Sequence, residues 1–289
     1  MNAFPPNNEM AVRLLIFLFT FGLMAFWELK SSRTALTGNK KDRWLNNIGL
    51  SFLSVVVVRV FFPAVGVTIA WFAQSHRLGL FNIWELPFSF AVFLSFINLD
   101  WILYYQHRAL HFFPWLWKFH RVHHSDVDLD VATGVRFHFL ENLFTLLMKS
   151  VVILILGCPP FAVFWFEVFQ NATTLFSHSN VKLPPAWDKR LRWLLVTPEM
   201  HRVHHSAVPK ETNSNFGFVF GWWDQLFKTY HAQPEAGYET MKIGLEIFRD
   251  PTDSALPHLL MQPLMDSEGN FAVKNFLSSS SAYSREPGR

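Results

Sequence analysis

Apolar positions in this chain come in long blocks with polar stretches between them. Residues 11–29 form a run of nineteen broken only by Arg13 and Glu28 near its ends. At 1.5 Å per residue it matches a ~30 Å hydrocarbon core. A second run, 48–73, contains Arg59 and Pro63, and a third covers 86–105. The pattern predicts three spanning helices, with Arg59 reaching toward the headgroups. The link 30–47 carries Lys30, Arg33, Lys40, Lys41 and Arg43 against Asp42. That bias places it in the cytoplasm, the N-terminus and the turn 74–85 outside, and the end of the third helix back in the cytoplasm. The first ten residues carry no basic segment, so the first run is expected to stay as an anchor and not be cleaved as a signal peptide.

The next apolar stretch, 143–176, has Gly157-Cys158-Pro159-Pro160 at its centre. Two consecutive prolines break a helix interior, so 143–156 and 160–176 read as the arms of a re-entrant hairpin that returns the chain to the cytoplasm. From Asn180 the chain turns amphipathic and basic, with Lys182, Lys189, Arg190 and Arg192 suited to lie against headgroups. Thr197-Pro198-Glu199 is a helix start, combining an N-cap, an N1 proline and an acid at the positive end of the dipole. The expected fold is an all-α integral membrane bundle: three spanning helices, the hairpin, and a cytoplasmic helical cap. Its parts are a transmembrane region 1–106, a catalytic region 107–230 enclosing the hairpin 142–176, and a tail 231–289, disordered at LSSSSAYSREPGR.

Composition supports the membrane reading. Hydrophobic residues are 51% of the chain, with 32 Phe and 12 Trp, and charged residues are 16%, below the quarter usual for soluble domains. A net charge of +3 gives no case for a nucleic-acid partner. A lone Cys158 excludes an internal disulfide and any paired-cysteine metal motif.

The chemistry lies in the histidines. HRVHHS occurs at 120–125 and again at 201–206, and His107 and His111 precede the first copy. On a helix, positions i, i+3 and i+4 share one face, so each HxxHH presents three imidazoles and the HxxxH two. Neutral imidazole is a ligand for zinc, iron, copper or nickel. Eight such ligands exceed a tetrahedral zinc site, and two ions with about five ligands each would use ten. His138 and His178 lie between the clusters, and their spacing leaves open whether they are ligands or hydrogen-bonded polar residues. His76, His231 and His258 read as surface or boundary histidines.

The motifs resemble the fatty acid hydroxylase and sterol desaturase superfamily, membrane-bound histidine-rich oxygenases, over roughly residues 100–230. Asp100 with Tyr105-Gln106-His107-Arg108-Ala109-Leu110-His111 is similar to the first box. Trp117-Lys118-Phe119-His120-Arg121-Val122-His123-His124-Ser125 is similar to the second, and 197–206 to the third. Arg136-Phe137-His138 and Phe176-Ser177-His178 resemble the intermediate histidines. The closing Asn215-Phe216-Gly217 and Trp223-Asp224-Gln225-Leu226-Phe227 also fit. Phe139, Phe216 and Lys228 stand where the family commonly has Pro, Tyr and Gly, which touches no histidine. The resemblance implies a diiron centre, with zinc an alternative in purified protein, held by His107, His111, His120, His123, His124, His138, His178, His201, His204 and His205. It would use O2 and two electrons to hydroxylate or desaturate a lipid. Asp100, Glu141 and Asp224 are expected to orient imidazoles.

No dinucleotide loop, haem-attachment motif or iron–sulfur cysteine occurs, so electrons must come from a separate protein. The alternative from another class is a histidine-rich metal transporter, whose ligands should sit at mid-membrane, not past helix ends. A zinc hydrolase would need a carboxylate base between its paired histidines, as in HExxH, and none of the histidine clusters encloses one.

Overall fold

The computed structural model describes residues 6–62 and 66–265. Helices α1 (Pro6–Lys30), α2 (Lys40–Phe61), α3 (Gly66–Ser75), α4 (Leu80–Ile83) and α5 (Phe88–Phe112) lead into α6 (Pro114–His124). The hairpin α7 (Phe139–Leu156) and α8 (Pro160–His178) follows, then the short helices α9 (Pro185–Leu191), α10 (Pro198–His204), α11 (Pro209–Thr212), α12 (Trp222–Leu226) and α13 (Leu256–Met261). Among the described residues there is no strand, only isolated bridges Ser32–Val181 and Ser206–Ile243.

Four segments are long and apolar enough to cross a membrane: Asn8–Lys30, Lys40–Ile83, Phe88–Phe112 and Phe139–Leu156. Their outer faces are greasy, with Phe19 and Phe52 each 71% exposed, as lipid-facing side chains are. The second expected run differs from the pattern. Its helix starts at Lys40, inside the expected link, and ends at Phe61, and a separate α3 begins at Gly66. Pro63 lies outside the described residues, as does the tail LSSSSAYSREPGR. Arg59 is exposed. The third helix runs to Phe112 and so carries His107 and His111 within one rigid rod.

The two prolines act as expected. Gly157 caps α7 in the left-handed conformation (φ 70°), and Pro160 opens α8 at N1. A Cβ on Gly79 would fall 2.1 Å from the Gly157 nitrogen, so the hairpin tip is pressed against the loop that joins α3 to α4. The far ends of α5, α7 and α8 hold His107, His138 and His178, so all boxes share one end of the bundle.

A part-buried ion-pair cluster lies among the apolar helices. Glu167 on α8 accepts from Lys149 of α7 at 2.8 Å and from Arg13 of α1 at 2.9 Å, tying the hairpin to the first helix. Isolated charges would not be tolerated at that depth. Residues 231–265 are packed and not detached: Leu259 shares a core with Leu50 and Val122, and Gly244 N–H donates to His205 O. Lys228, where the family commonly has glycine, sits at φ 58°, the left-handed region glycine enters without cost.

Candidate metal centre

Pro114 starts α6 and Pro198 starts α10, the latter capped as expected by the Thr197 hydroxyl on Met200 N–H. Each helix carries one HRVHH. Their histidines separate into two buried groups whose ligand atoms lie within 4.8 Å of one another: His107, His111, His120, His124 and His204, and His123, His178, His201 and His205. Each copy therefore keeps its first and fifth residues together and sends its fourth to the other group. Turn geometry explains the exchange, because i and i+4 nearly overlap in projection while i+3 points about 60° to the other side. The groups abut, with the His124 and His205 rings stacked at 4.6 Å.

Hydrogen bonds fix the tautomers. Facing an acceptor, a ring nitrogen must carry the proton. His107 Nδ1 donates to Phe216 O (2.9 Å), His178 Nδ1 to Thr174 O (2.8 Å), His204 Nδ1 to Ser214 O (2.7 Å) and His123 Nδ1 to Arg136 O (3.3 Å). His120 Nδ1 donates to the Glu141 carboxylate at 2.7 Å. Every one of these rings then turns a bare Nε2 inward. His107 and His120 meet Nε2 to Nε2 at 3.0 Å, and so do His123 and His178. Two lone pairs at that distance repel unless a cation lies between them.

The spacing fits one. Ligands ~2.1 Å from an ion lie ~3.0 Å apart at a right angle and ~3.4 Å apart at the tetrahedral angle. The remaining contacts, His124–His120 at 3.1 Å, His201–His178 at 3.0 Å and His205–His201 at 3.2 Å, fall in the same range. His204 Nε2, inside its group, is buried and without a partner.

Burial, with mutual repulsion second, holds His120, His123, His124, His201 and His205 well below the usual histidine range. They stay neutral and ready to ligate. The unfolded chain takes up protons below ~6.5 whereas the folded one does not, so folding loses stability as pH falls through that value. Each such histidine contributes up to ~1.4 kcal/mol per pH unit. The unfolding midpoint of metal-free protein is expected to drop steeply from pH 7 to pH 5.5; a flat profile would contradict neutral burial.

Of the expected orienting acids, only Glu141 reaches an imidazole. Asp100 instead accepts from Val219 N–H, Phe220 N–H and the Trp223 indole. Asp224 accepts from Phe216 N–H and Gly217 N–H and so holds the segment whose Phe216 carbonyl orients His107. Both act one step further out than expected. Replacing Glu141 with Gln keeps the shape but weakens the charge-assisted bond to His120. Metal affinity should fall ~10- to 100-fold, read by competition with a chelator.

His138 lies outside both groups. Its Nδ1 accepts from Leu140 N–H, and its Nε2 is buried without a partner. His76 and His258 are exposed, His231 partly so. Sequence reasoning missed the backbone acceptors and a buried Arg43 bonded to Asp126 and Asp130. The alternating acids Asp126, Asp128 and Asp130 after the second box were the available hint.

A small cavity, with room for about one water, touches both groups, lined by His107, His120, His123, His178 and His201, with Phe137, Thr174, Ser177, Gly217 and Phe218 as its other walls. Phe137 stacks on His123 at 4.5 Å, and Phe218 stands edge-on to His107 at 5.8 Å.

Residues 92–229 match the fatty acid hydroxylase family model. An ornithine lipid hydroxylase of Rhizobium tropici is 29% identical over 76% of this chain and 67% of its own length. The human alkylglycerol monooxygenase is 27% identical over 80% of this chain and 49% of its own. A rice very-long-chain aldehyde decarbonylase is 26% identical over 61% of this chain and 29% of its own. The chain thus spans about half or less of the last two. No solved structure matches it. With its boxes at 107–124 and 201–205 inside the matched span, this chain carries a fatty acid hydroxylase domain over residues 92–229.

Proposed function

We propose that the protein is a membrane-bound non-haem diiron monooxygenase that hydroxylates a lipid C–H bond with O2 and two electrons from a separate carrier protein; desaturation is the related outcome at the same site. The observation that carries this reading is the pair of lone-pair contacts at 3.0 Å, His107–His120 and His123–His178, in two abutting groups. A pair of iron ions supplies O2 activation strong enough to attack an unactivated C–H bond. The protein's own part is positioning. Backbone carbonyls and Glu141 hold each imidazole proton at Nδ1, and Phe137 and Phe218 keep water from the pocket they line. The resemblance, and not the geometry, adds His138 to the proposed ligand set as the tenth histidine: it lies outside both groups, and with Nδ1 accepting from Leu140 N–H the neutral ring carries its proton on Nε2, which it would have to give up to ligate.

Oxygen insertion is favoured over alkene formation because the ornithine lipid hydroxylase and the alkylglycerol monooxygenase are both named for it. The basic link, with Lys30, Lys40 and Lys41, supports a cytoplasmic site, and the hairpin that brings α7 and α8 back to the boxes supports a paired crossing. Metal transport finds no support in these relatives.

The test is iron-loaded protein in vesicles of total membrane lipid, given a reductant, an electron carrier and ¹⁸O2. One lipid is expected to gain a single ¹⁸O atom. Iron-loaded protein that consumes no O2 and changes no lipid across such extracts would overturn the reading.

A further inference from the structure

The strip from Lys182 to Leu194 takes no part in the metal centre, yet its surface is two-faced. Trp187, Trp193 and Leu194 are 59%, 65% and 51% exposed. Lys182, Lys189 and Arg190 are exposed too. Neither Lys189 nor Arg190 has an acidic partner among the described ion pairs, and Lys182 faces only the outlying Glu239. The neighbouring Arg192, by contrast, is used internally, by Asp188 and by the Tyr230 hydroxyl.

The fold fixes the depth of this strip. Val196 N–H donates to Val219 O and Gly221 N–H to Leu194 O, and the 219–223 segment is clamped to Asp100 on α5. Asp100 precedes His107 by seven residues on one straight helix, about 10 Å toward the membrane interior. Trp193 and Leu194 therefore sit two helical turns membrane-ward of the metal centre, while the basic side chains precede them in the chain. Leu226, 63% exposed, extends the apolar side. Exposed aromatic side chains at that level with exposed cations next to them in the chain match the headgroup boundary of a bilayer.

We propose that residues 182–194 form an interfacial anchor that docks on an anionic lipid surface, with Trp193 and Leu194 in the acyl boundary and Lys182, Lys189 and Arg190 on phosphate headgroups. The anchor is joined to the pocket. Val219, bonded to Val196, directly follows Gly217 and Phe218 of the pocket wall, so docking holds that wall at the level where a lipid chain enters from the bilayer. The inference rests on the membrane reading but not on the oxygenase reading.

The test reads docking without turnover. Leu194→Cys, labelled with an environment-sensitive dye (Cys158 is buried), is reconstituted in vesicles of phosphatidylcholine alone or with part of it replaced by phosphatidylglycerol. The dye is expected to be quenched by nitroxides on the lipid chains and shielded from aqueous iodide. Each basic side chain should shift docking toward the anionic vesicles by about fivefold at low salt, an advantage that salt removes as the screening length shrinks. Lys189→Glu with Arg190→Glu should reverse the preference. Iodide quenching that is equal in both vesicles and unchanged by the charge reversal would overturn the proposal. Preserved metal content in the reversed variant shows that a negative result is not misfolding.

Discussion

His204→Ala and His107→Ala are expected to remove the same ion, and His201→Ala the other one, although His204 and His201 are three residues apart in one box. His204 belongs with the first two boxes, and His201 with His178 and His123. Metal content should fall from two per chain toward one in each single variant. His204→Ala combined with His107→Ala should stay near one, whereas His204→Ala combined with His201→Ala should fall toward zero. Changing groups one step beyond the ligands costs ~10- to 100-fold, so losing a ligand should lower turnover by more than ~100-fold. His201→Ala should be the more severe, because it cuts a group of four to three. Ala at His76, His231 or His258 should leave turnover within a few-fold. Identical metal loss in the two double variants would show that the groups are not separate sites. His138→Ala that keeps both ions and full turnover would reduce the ligand set to nine.

That exchange between boxes shows where sequence reading stopped. The repeat HRVHH and its helical start at Thr197 were legible because both are local: spacing on one helix and a capping pattern. Which ion each histidine serves depends on how α6 and α10 face each other, and no spacing within either helix encodes that. The Pro159-Pro160 break was legible for the same local reason. Asp100 and Asp224 were misplaced by one step because a buried acid near a histidine box has two uses, an imidazole N–H or a backbone N–H, and only the path of residues 215–223 decides between them. Arg43 was the larger miss. In the run Lys40-Lys41-Asp42-Arg43 it looks like one more cytoplasmic charge, but its partner is 83 residues away at Asp126, beyond the reach of any local pattern.

Arg43→Ala is accordingly expected to be among the most damaging changes outside the ligands. The guanidinium donates to both oxygens of Asp126, at 2.7 and 2.9 Å, and to Asp130 at 3.0 Å, and all three residues are buried. Removing one partner of a buried ion pair leaves an uncompensated charge and costs ~3–5 kcal/mol. Here it also loosens the metal centre, because the loop 126–136 that Arg43 braces ends at Arg136, whose carbonyl orients His123. Arg43→Lys should recover little, since one ammonium cannot reproduce the fork that grips Asp126 while reaching Asp130. Burial alone would raise the Asp126 carboxyl, but Arg43 and Arg136 outweigh it and hold the group well below the usual carboxylate range. The native carboxyl thus keeps its charge where the unfolded one, near ~3.9, takes a proton. The stabilisation is fully present above that value and lost only as pH falls below it, so the deficit of Arg43→Ala should be fully expressed at pH 7. Denaturant unfolding in detergent with metal analysis on the same samples reads both effects, and a stability change under ~0.5 kcal/mol with both ions retained would mean that the pair braces nothing.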